Sequence, residues 1–273
     1  MKVLIFPTAS EAIASVADRV LDEVKRKASA VLGLATGGTM EAVYDRLVLR
    51  AQVDDVSFAN VKSFNLDEYW GLPPDHPASY HTYMRERLFE RIDIKLANTR
   101  LPRGDRTDAA AECRAYEAAI ANAGGIDLQL LGIGRNGHIG FNEPTSSLAS
   151  RTRVKTLTEA TRQANAAFFD RPEHVPPCAL TMGIGTILDA RACVLLAIGS
   201  AKSAAVAKAI EGPVAATCPA SALQLHGDMT MVLDREAAVG LTLIDYYQSV
   251  HPDGAQIGAG DPCAPPAASP ATD

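Results

Sequence analysis

Short apolar runs alternate along the chain with longer segments in which apolar residues recur every three or four positions. Runs of this length are typical of buried strands, and the longer period is typical of helices that bury one face. The predicted strands are residues 2–6, 31–35, 61–66, 126–133, 192–198 and 229–233. The predicted helices are residues 10–27, with Ser10 as N-cap, and residues 40–49, 79–91, 108–121, 200–210 and 235–249.

Strands that alternate with helices predict βαβ units, whose strands lie parallel and are covered on both faces. We therefore expect an α/β protein with a single open, mostly parallel, doubly wound sheet of modified Rossmann type and helices on both faces. No repeat or Ser/Gly-rich linker divides residues 1–250, which are predicted to form one domain. Residues 251–273 are rich in Pro, Ala, Gly and Asp without apolar periodicity, which predicts a disordered C-terminal tail.

The composition narrows the classes of partner. Hydrophobic residues make up 47% and charged residues 21% of the 273 residues, as in ordinary globular proteins. The net charge of −6 and the lack of a Lys/Arg run argue against nucleic-acid binding. No apolar run approaches the length of a membrane span, and the opening MKVLIF is too short for a signal-peptide core.

The five cysteines are scattered and form no CxxC pair, so the sequence indicates neither a disulfide framework nor a zinc knuckle. They are expected to be buried apolar fillers in a reducing compartment, and the protein is predicted to be cytoplasmic. These cysteines are Cys113, Cys178, Cys193, Cys218 and Cys263.

One glycine-rich loop carries a candidate acid/base. Residues 131–144 read LGIGRNGHIGFNEP, in which glycines flank His138 and Glu143 follows it in the same loop. Glycines let a ligand approach the backbone closely, and histidine is the side chain that ionises nearest neutral pH. No GxSxG elbow or set of metal ligands accompanies the loop, so proton transfer is the predicted chemistry. The alternative is a structural histidine in a loop whose glycines only form turns.

Two further segments suit an anion. Thr36, Gly37, Gly38 and Thr39 follow a predicted strand and precede a helix, where backbone N–H groups form a natural phosphate site. The alternative is an ordinary turn with Thr39 as N-cap. Lys202 lies in the first turn of a predicted helix, where a cation is unfavourable unless an anion binds nearby. A surface lysine is the alternative there.

Two adjacent carboxylates, Asp67 and Glu68, end another predicted strand. Side chains of neighbouring strand residues point to opposite faces, so only one is expected to face a pocket, as a general base. The alternative is a solvated acidic turn. Because ligands of open α/β sheets bind at the carboxyl ends of strands, we expect these segments to form one site.

Several blocks together resemble the glucosamine-6-phosphate deaminase family. They are LGLATGGT, SFNLDEYWGLP, LGIGRNGHIGFNEP, ALTMGIGTILDA and PASALQLH, and the resemblance extends over residues 2–249. The family shares its fold with 6-phosphogluconolactonases and with sugar-phosphate sensing domains of regulators. A lactonase would resemble GHTASLFP after the loop histidine, whereas this chain has GHIGFNEP.

The resemblance implies isomerisation with deamination of glucosamine 6-phosphate to fructose 6-phosphate and ammonia, without metal or organic cofactor. Asp67 matches the base that moves hydrogen between C2 and C1. His138, supported by Glu143, matches the group that opens the pyranose ring. Thr36–Thr39 and Lys202 match the phosphate site. The alternatives are a deaminase for the galacto epimer and a sugar-phosphate sensor without turnover.

Two positions depart from the family. Many members have Asp where this chain has Asn136, and an amide can fix the histidine ring by a hydrogen bond but adds no charge. Glu143 is therefore expected to be the only negative partner of His138. Members often have a phosphate-binding arginine where this chain has Ala167, so Arg162 or Arg135 is expected to compensate.

The resemblance also implies that the activity could be regulated by an allosteric effector. Some members are hexamers activated by N-acetylglucosamine 6-phosphate bound between subunits, and Ser146, Arg153 and Lys155 match positions of that effector site. Other members are unregulated monomers, and a basic strand over residues 151–155 is equally explained as a solvated edge.

Overall fold

The computed structural model describes residues 1–171 and 174–255. Its strands are β1 Lys2–Phe6, β2 Val31–Leu34, β3 Lys62–Asn65, β4 Asp67–Tyr69, β5 Thr99–Arg100, β6 Leu128–Gly132, β7 Arg153–Thr156, β8 Cys178–Thr181, β9 Ala192–Ala197 and β10 Met229–Asp234. Its helices are α1 Ala9–Arg26, α2 Gly38–Val53, α3 Tyr80–Arg87, α4 Ala109–Asn122, α5 Glu159–Asn165, α6 Ile184–Leu188, α7 Ser203–Ile210, α8 Arg235–Ala238 and α9 Ile244–Val250.

Seven strands form one sheet in the order β1-β10-β9-β6-β2-β3-β5, with parallel pairing throughout. Consecutive residues of β2, β9 and β10 are buried, so both faces of the sheet are covered. The predicted open parallel α/β sheet is therefore confirmed. From β2 the chain proceeds outward through β3 and β5, then returns to β6 on the other side of β2. Ligands bind where the strand order reverses in this way, at the carboxyl ends of β2 and β6.

A second, antiparallel sheet with the order β4-β8-β7 was not predicted. Its strands have only three or four residues, and β7 alternates half-buried with exposed positions. Such short strands carry little periodic signal. The register places Asp67 opposite Thr181, and Thr181 opposite Arg153, in one row across the sheet.

Several predicted helix boundaries were wrong; the helix predicted over residues 40–49, for example, extends over Gly38–Val53. The N-cap of α1 is Thr8 rather than Ser10: Thr8 accepts the Glu11 N–H, and the Glu11 carboxylate accepts the Thr8 N–H. The predicted helix 235–249 is broken into α8 and α9. Gly240 lies against α7, where a Cβ would be 3.0 Å from the Ser203 carbonyl oxygen, and Glu211 binds the N–H groups after it.

Part of the predicted tail is ordered. Residues Pro252–Gly254 form a 3-10 turn, and Gly254, at φ +75°, lies against the Phe6 ring of β1. The Asp253 carboxylate accepts a hydrogen bond from Arg235 at 3.2 Å. Residues 256–273 of the predicted tail, including Cys263, lie outside the described residues. Within the described ranges, no helix combines the length and apolar character needed to cross a membrane.

The two candidate N-caps of α1 make a direct test. We expect Thr8→Ala to lower the free energy of unfolding by about 1 kcal/mol, because the substitution removes the side-chain acceptor of the capping box. Ser10→Ala, at an exposed position inside the helix, is expected to change it by less than about 0.5 kcal/mol. Urea unfolding of both variants measures the difference, and equal effects would contradict the Thr8 cap.

Candidate active site

The loop after β2 has the geometry of an anion site. Gly37, at φ +109°, is the N-cap of α2 and supplies no side-chain cap, so Thr39 lies inside the helix, which excludes the alternative in which Thr39 is the N-cap. The first turn of a sixteen-residue helix therefore presents N–H groups that no side chain of the cap satisfies. The hydroxyl of Tyr83 donates a 2.9 Å hydrogen bond to the Gly37 carbonyl and fixes the loop from outside.

Lys202 extends across the same edge of the sheet. It ends a 3-10 turn after β9, and its Nζ donates a 2.7 Å hydrogen bond to the Ile133 carbonyl at the end of β6. Burial, and secondarily the charge of Arg135, lower the pKa of Lys202. Across residues 1–171 and 174–255, no carboxylate lies within ion-pair distance of Lys202 or Arg135. Two cations without a protein counter-charge at the carboxyl ends of β6 and β9 are suited to bind an anion.

His138 faces Glu143 within the glycine loop. Its Nδ1 lies 3.6 Å from Glu143 Oε2, which is within ion-pair range but longer than a hydrogen bond. A Cβ at Gly134 would lie 2.2 Å from His138 Cε1, so the ring needs glycine at that position. The imidazole is only partly exposed, at 22% of its side-chain surface. One edge of the ring is therefore directed at an internal carboxylate, as a positioned acid/base requires.

Glu143 is held by three further side chains. Asn136 Nδ2 donates to Oε2 at 2.7 Å, while the hydroxyls of Thr158, at 3.2 Å, and Thr161 donate to Oε1. Burial acts to raise the pKa of Glu143, but His138, Thr161 and Asn136 together lower it to about 2. Glu143 is therefore an anion at neutral pH. The two threonines were not predicted, because nothing local in the sequence connects residues 158–161 with residue 143.

Asn136 acts differently from the prediction. Its Oδ1 accepts the backbone N–H of His138 at 3.2 Å, and its amide donates to Glu143. Within the described residues it makes no hydrogen bond to the imidazole ring, so it fixes the loop and the carboxylate rather than the ring itself. The charge beside His138 is that of Glu143.

Asp67 begins β4 and is 5% exposed. Burial, with a smaller contribution from the charge of Glu68, raises its pKa to about 8. A Cβ at Gly140 would lie 3.3 Å from Asp67 Oδ2 and 3.0 Å from Thr181 Oγ1. The backbone of the His138 loop therefore passes directly over the Asp67 carboxylate, and glycine at 140 permits that approach.

The neighbouring carboxylate of Glu68 has a structural environment. It accepts N–H groups from Tyr69 at 2.8 Å, Tyr80 at 3.1 Å and His81 at 3.1 Å, which ties β4 to the first turn of α3. Burial raises the pKa of Glu68 to about 7, although these backbone donors oppose the rise. The expectation that only one of the two carboxylates serves the pocket fits this arrangement.

The predicted effector residues lie on and beside the second sheet. Arg153 Nη1 donates to Asn142 Oδ1 at 2.8 Å, while Nη2 is buried without a partner in the described chain. The Oγ of Ser146 is likewise buried and unpartnered there. Lys155 is two residues along β7 from Arg153 and therefore lies on the same face. Asn142 connects this group to the His138 loop, since its amide also donates to the Ile139 carbonyl.

The two candidate substitutes for the missing arginine differ in position. Ala167 is exposed, in the 3-10 turn that follows α5. Arg162 is directed to Glu159 Oε2 at 3.3 Å and to the Val175 carbonyl at 3.4 Å. Arg135 is exposed beside Lys202. In the described part of the chain, no group of three or more His, Cys, Asp or Glu side chains is placed to hold a metal ion.

The parallel sheet defines an α/β protein, and at its carboxyl edge a loop suited to an anion lies near a histidine–glutamate pair and a buried aspartate. A family model described as glucosamine-6-phosphate isomerases/6-phosphogluconolactonase matches residues 7–232. The chain belongs to this family.

Curated relatives and solved structures show which members of the family this chain is most similar to among those compared. A glucosamine-6-phosphate deaminase of Shewanella loihica is 52% identical over 259 residues, covering 95% of this chain and 97% of the relative. One of a Marinomonas species is 53% identical over 264 residues, with 96% and 99% covered. A solved monomeric glucosamine-6-phosphate deaminase superposes with a TM-score of 0.86 at 50% identity, covering 88% of this chain and 100% of that one. The 6-phosphogluconolactonase of Trypanosoma brucei, 21% identical with a TM-score of 0.66 and 88% and 98% covered, shares the fold.

The raised pKa of Asp67 predicts a pH-dependent stability. Because its pKa is about 8 in the folded protein against an ordinary 3.8, the folded state holds a proton that the unfolded chain releases. The stability contributed by this proton is complete below about pH 4 and is lost as the pH rises through about 8. Asp67→Asn stays neutral, so we expect it to be more stable than the parent by on the order of 5 kcal/mol at pH 8, and about equal near pH 4.

Urea unfolding at both pH values measures this difference. Asp93→Asn is the control of opposite sign: burial opposes the change, but hydrogen bonds from Ser57 and the Phe58 N–H lower the pKa of Asp93. This variant is therefore expected to be less stable than the parent at pH 8. If the stability of Asp67→Asn relative to the parent is the same at pH 8 as at pH 4, Asp67 ionises with an ordinary pKa.

Proposed function

We propose that the protein converts glucosamine 6-phosphate and water to fructose 6-phosphate and ammonia. The observation that carries the proposal is the pairing of two buried carboxylates in opposite states at one crevice: Glu143 anionic beside His138, and Asp67 with a pKa of about 8. An acid/base pair and a separate proton carrier are what an aldose–ketose isomerisation needs. Two relatives about half identical over nearly the whole chain, both called glucosamine-6-phosphate deaminase, support the substrate.

The phosphate binds at the loop after β2. The N–H groups of Gly38 and Thr39 at the start of α2 and the hydroxyl of Thr36 surround the phosphate, and Lys202 supplies the charge from β9. Binding the phosphate here leaves the sugar ring extending toward the loop after β6. The opposite end of the substrate is thus the end that meets His138 and Asp67.

His138 opens the pyranose ring. It takes the proton of the O1 hydroxyl while the C1–O5 bond breaks, and it returns a proton to O5. The imidazolium formed in between lies 3.6 Å from the Glu143 carboxylate, which stabilises its charge. Asn136 contributes by holding Glu143 and the His138 backbone.

Asp67 carries the C2 proton. The cationic amine of the open-chain substrate lowers the pKa of the carboxyl by its charge, so Asp67 enters the reaction as a base. It removes the proton from C2 while a proton of the ammonium group passes through His138 to the C1 oxygen, which forms an enolamine. Asp67 then delivers its proton to C1. Water adds to the resulting C2 iminium and ammonia leaves. A pKa near 8 suits a group that must both accept and release a proton near neutral pH.

We propose that Arg135 supplies the second phosphate cation in place of the arginine that Ala167 lacks. Arg135 is exposed beside Lys202, whereas Arg162 is directed to Glu159 and Val175.

Activation by N-acetylglucosamine 6-phosphate and assembly into a homo-oligomer such as a hexamer stay proposals for this chain. The unpartnered buried donors of Ser146 and Arg153 support an anionic effector. The cytoplasmic location also stays a prediction, supported by the free thiols of four cysteines.

Ammonia release from the purified protein tests the reaction. We expect turnover with glucosamine 6-phosphate and little with galactosamine 6-phosphate or 6-phosphogluconolactone. Asp67→Asn is expected to lower kcat by about 10²- to 10⁴-fold, because the carboxamide cannot carry the C2 proton. Release only from the galacto sugar would favour the epimer-specific alternative, and binding without release would favour a sensor. The same assay with added N-acetylglucosamine 6-phosphate, read beside gel filtration, tests the effector and the oligomer.

The two arginines form a matched pair for the phosphate proposal. We expect Arg135→Ala to raise KM for glucosamine 6-phosphate about tenfold or more with kcat little changed, because it removes a charge-assisted contact to the non-reacting end of the substrate. Arg162→Ala is expected to leave KM within about twofold. Steady-state kinetics of both variants decides, and an unchanged KM for Arg135→Ala would remove Arg135 from the site.

A further inference from the structure

Helix α5 is attached to the catalytic loop through one carboxylate oxygen. Thr158 is the N-cap of α5, and Thr161 lies one turn into the helix, 5% exposed. The Thr161 hydroxyl donates to Glu143 Oε1, and the Thr158 hydroxyl lies 3.2 Å from the same oxygen. No other described side chain donates to Oε1, so the helix supplies all of the side-chain donors on that side of Glu143.

The two threonines are not equivalent. Thr158 Oγ1 lies 3.0 Å from Thr161 Oγ1 and 3.2 Å from Glu143, yet it has a single proton to donate. Its lone pair also accepts the Thr161 N–H at 3.2 Å, which is the cap of the helix. Thr161, buried and directed at the carboxylate, is therefore the principal donor, and Thr158 supports it from behind.

The other oxygen of Glu143 belongs to the catalytic loop. Oε2 accepts from Asn136 at 2.7 Å and faces His138 Nδ1 at 3.6 Å. The carboxyl plane is thus fixed by α5 on one side and by the loop on the other. Loss of the α5 contacts would free the carboxylate to rotate about its side-chain bonds, because Oε1 would lose the Thr161 hydroxyl as its donor.

The remainder of the segment that contains α5 is also anchored at the site. After the helix, the Phe169 ring packs edge-on against Tyr69 at 5.3 Å between ring centroids, next to Asp67 and Glu68 in β4. Leu157 and Phe169 belong to a small apolar cluster with Tyr69 and Phe141, separate from the main core. Because this cluster is small, docking of the segment depends heavily on the polar contacts at its start.

We infer that Thr161 is a positioning residue, which makes docking of α5 a condition for the orientation of Glu143 toward His138. The inference depends on the proposed function only where turnover is the readout. Energetic coupling between two sites is reciprocal. If docking of α5 orients Glu143, the charge of Glu143 must in turn hold α5 in place. That second consequence is measurable without any substrate.

Hydrogen–deuterium exchange of the α5 amides tests the coupling directly. We expect Glu143→Gln to accelerate exchange in α5 about tenfold or more, because the threonine hydroxyls lose an anionic acceptor. Asp67→Asn, which also removes a buried carboxylate of the site, is expected to leave α5 exchange unchanged. Thr161→Val is expected to match Glu143→Gln, and the double variant to add little to either single one.

Turnover provides the second readout. Thr161→Val is expected to lower kcat about tenfold while KM stays within about twofold, and Thr161→Ser, which keeps the hydroxyl, is expected to restore most of the rate. Thr186→Val is the matched control, since Thr186 is equally buried and its hydroxyl donates to a carboxylate, that of Glu117, away from the site. It is expected to leave both constants and α5 exchange unchanged.

The exchange and turnover measurements distinguish failure of the α5 coupling from failure of the proposed function. Unchanged α5 exchange in Glu143→Gln, or equal acceleration in Asp67→Asn, overturns the coupling whatever the enzyme turns over. A Thr161→Ser variant as slow as Thr161→Val would reduce Thr161 to a packing role and would also overturn it. If Thr161→Val does not fold, the comparison of Glu143→Gln with Asp67→Asn decides alone. Absence of turnover in the parent would contradict the proposed function and leave the exchange result to stand by itself.

Discussion

The carboxylate of Glu143 is shared between two parts of the molecule that are distant in sequence. Asn136 and the threonines of α5 satisfy its two oxygens, and His138 faces the oxygen that Asn136 holds. A buried carboxylate is tolerated only when such donors replace its water. The same contacts that make burial possible keep it ionised, and an ionised Glu143 is what stabilises a charged imidazole. The loop after β6, the helix α5 and the histidine therefore depend on one group.

Asp67 is also a buried carboxyl group, but its surroundings favour the protonated form rather than the ionised one. It lies in the second sheet with the Gly140 backbone over it and with the charge of Glu68 next in sequence. With burial and a like charge instead of donors, the neutral form is favoured. Two carboxylates with pKa values of about 2 and about 8 are thereby held on neighbouring backbone segments. That separation gives one group the role of a fixed charge and the other the role of a proton carrier.

The parallel sheet and its edge could be predicted from the sequence, because continuous apolar strands and glycine loops carry strong local signals. Thr36–Thr39, His138 and Glu143 all follow predicted strands, and the topology brings strand ends together. The second sheet could not be predicted, since β4, β7 and β8 are too short to show a period. Thr161 could not be found either, because its contact with Glu143 arises only when α5, itself not predicted, folds back over the loop.

The site depends on a difference in protonation between Asp67 and Glu143 at the same pH. Infrared difference spectra of the parent against Asp67→Asn and Glu143→Gln, recorded near pH 6 without substrate, measure it directly. We expect loss of a protonated carboxyl band in Asp67→Asn and loss of an ionised carboxylate band in Glu143→Gln. Loss of an ionised band in both variants would contradict it, because Asp67 would then be an ordinary ionised carboxylate.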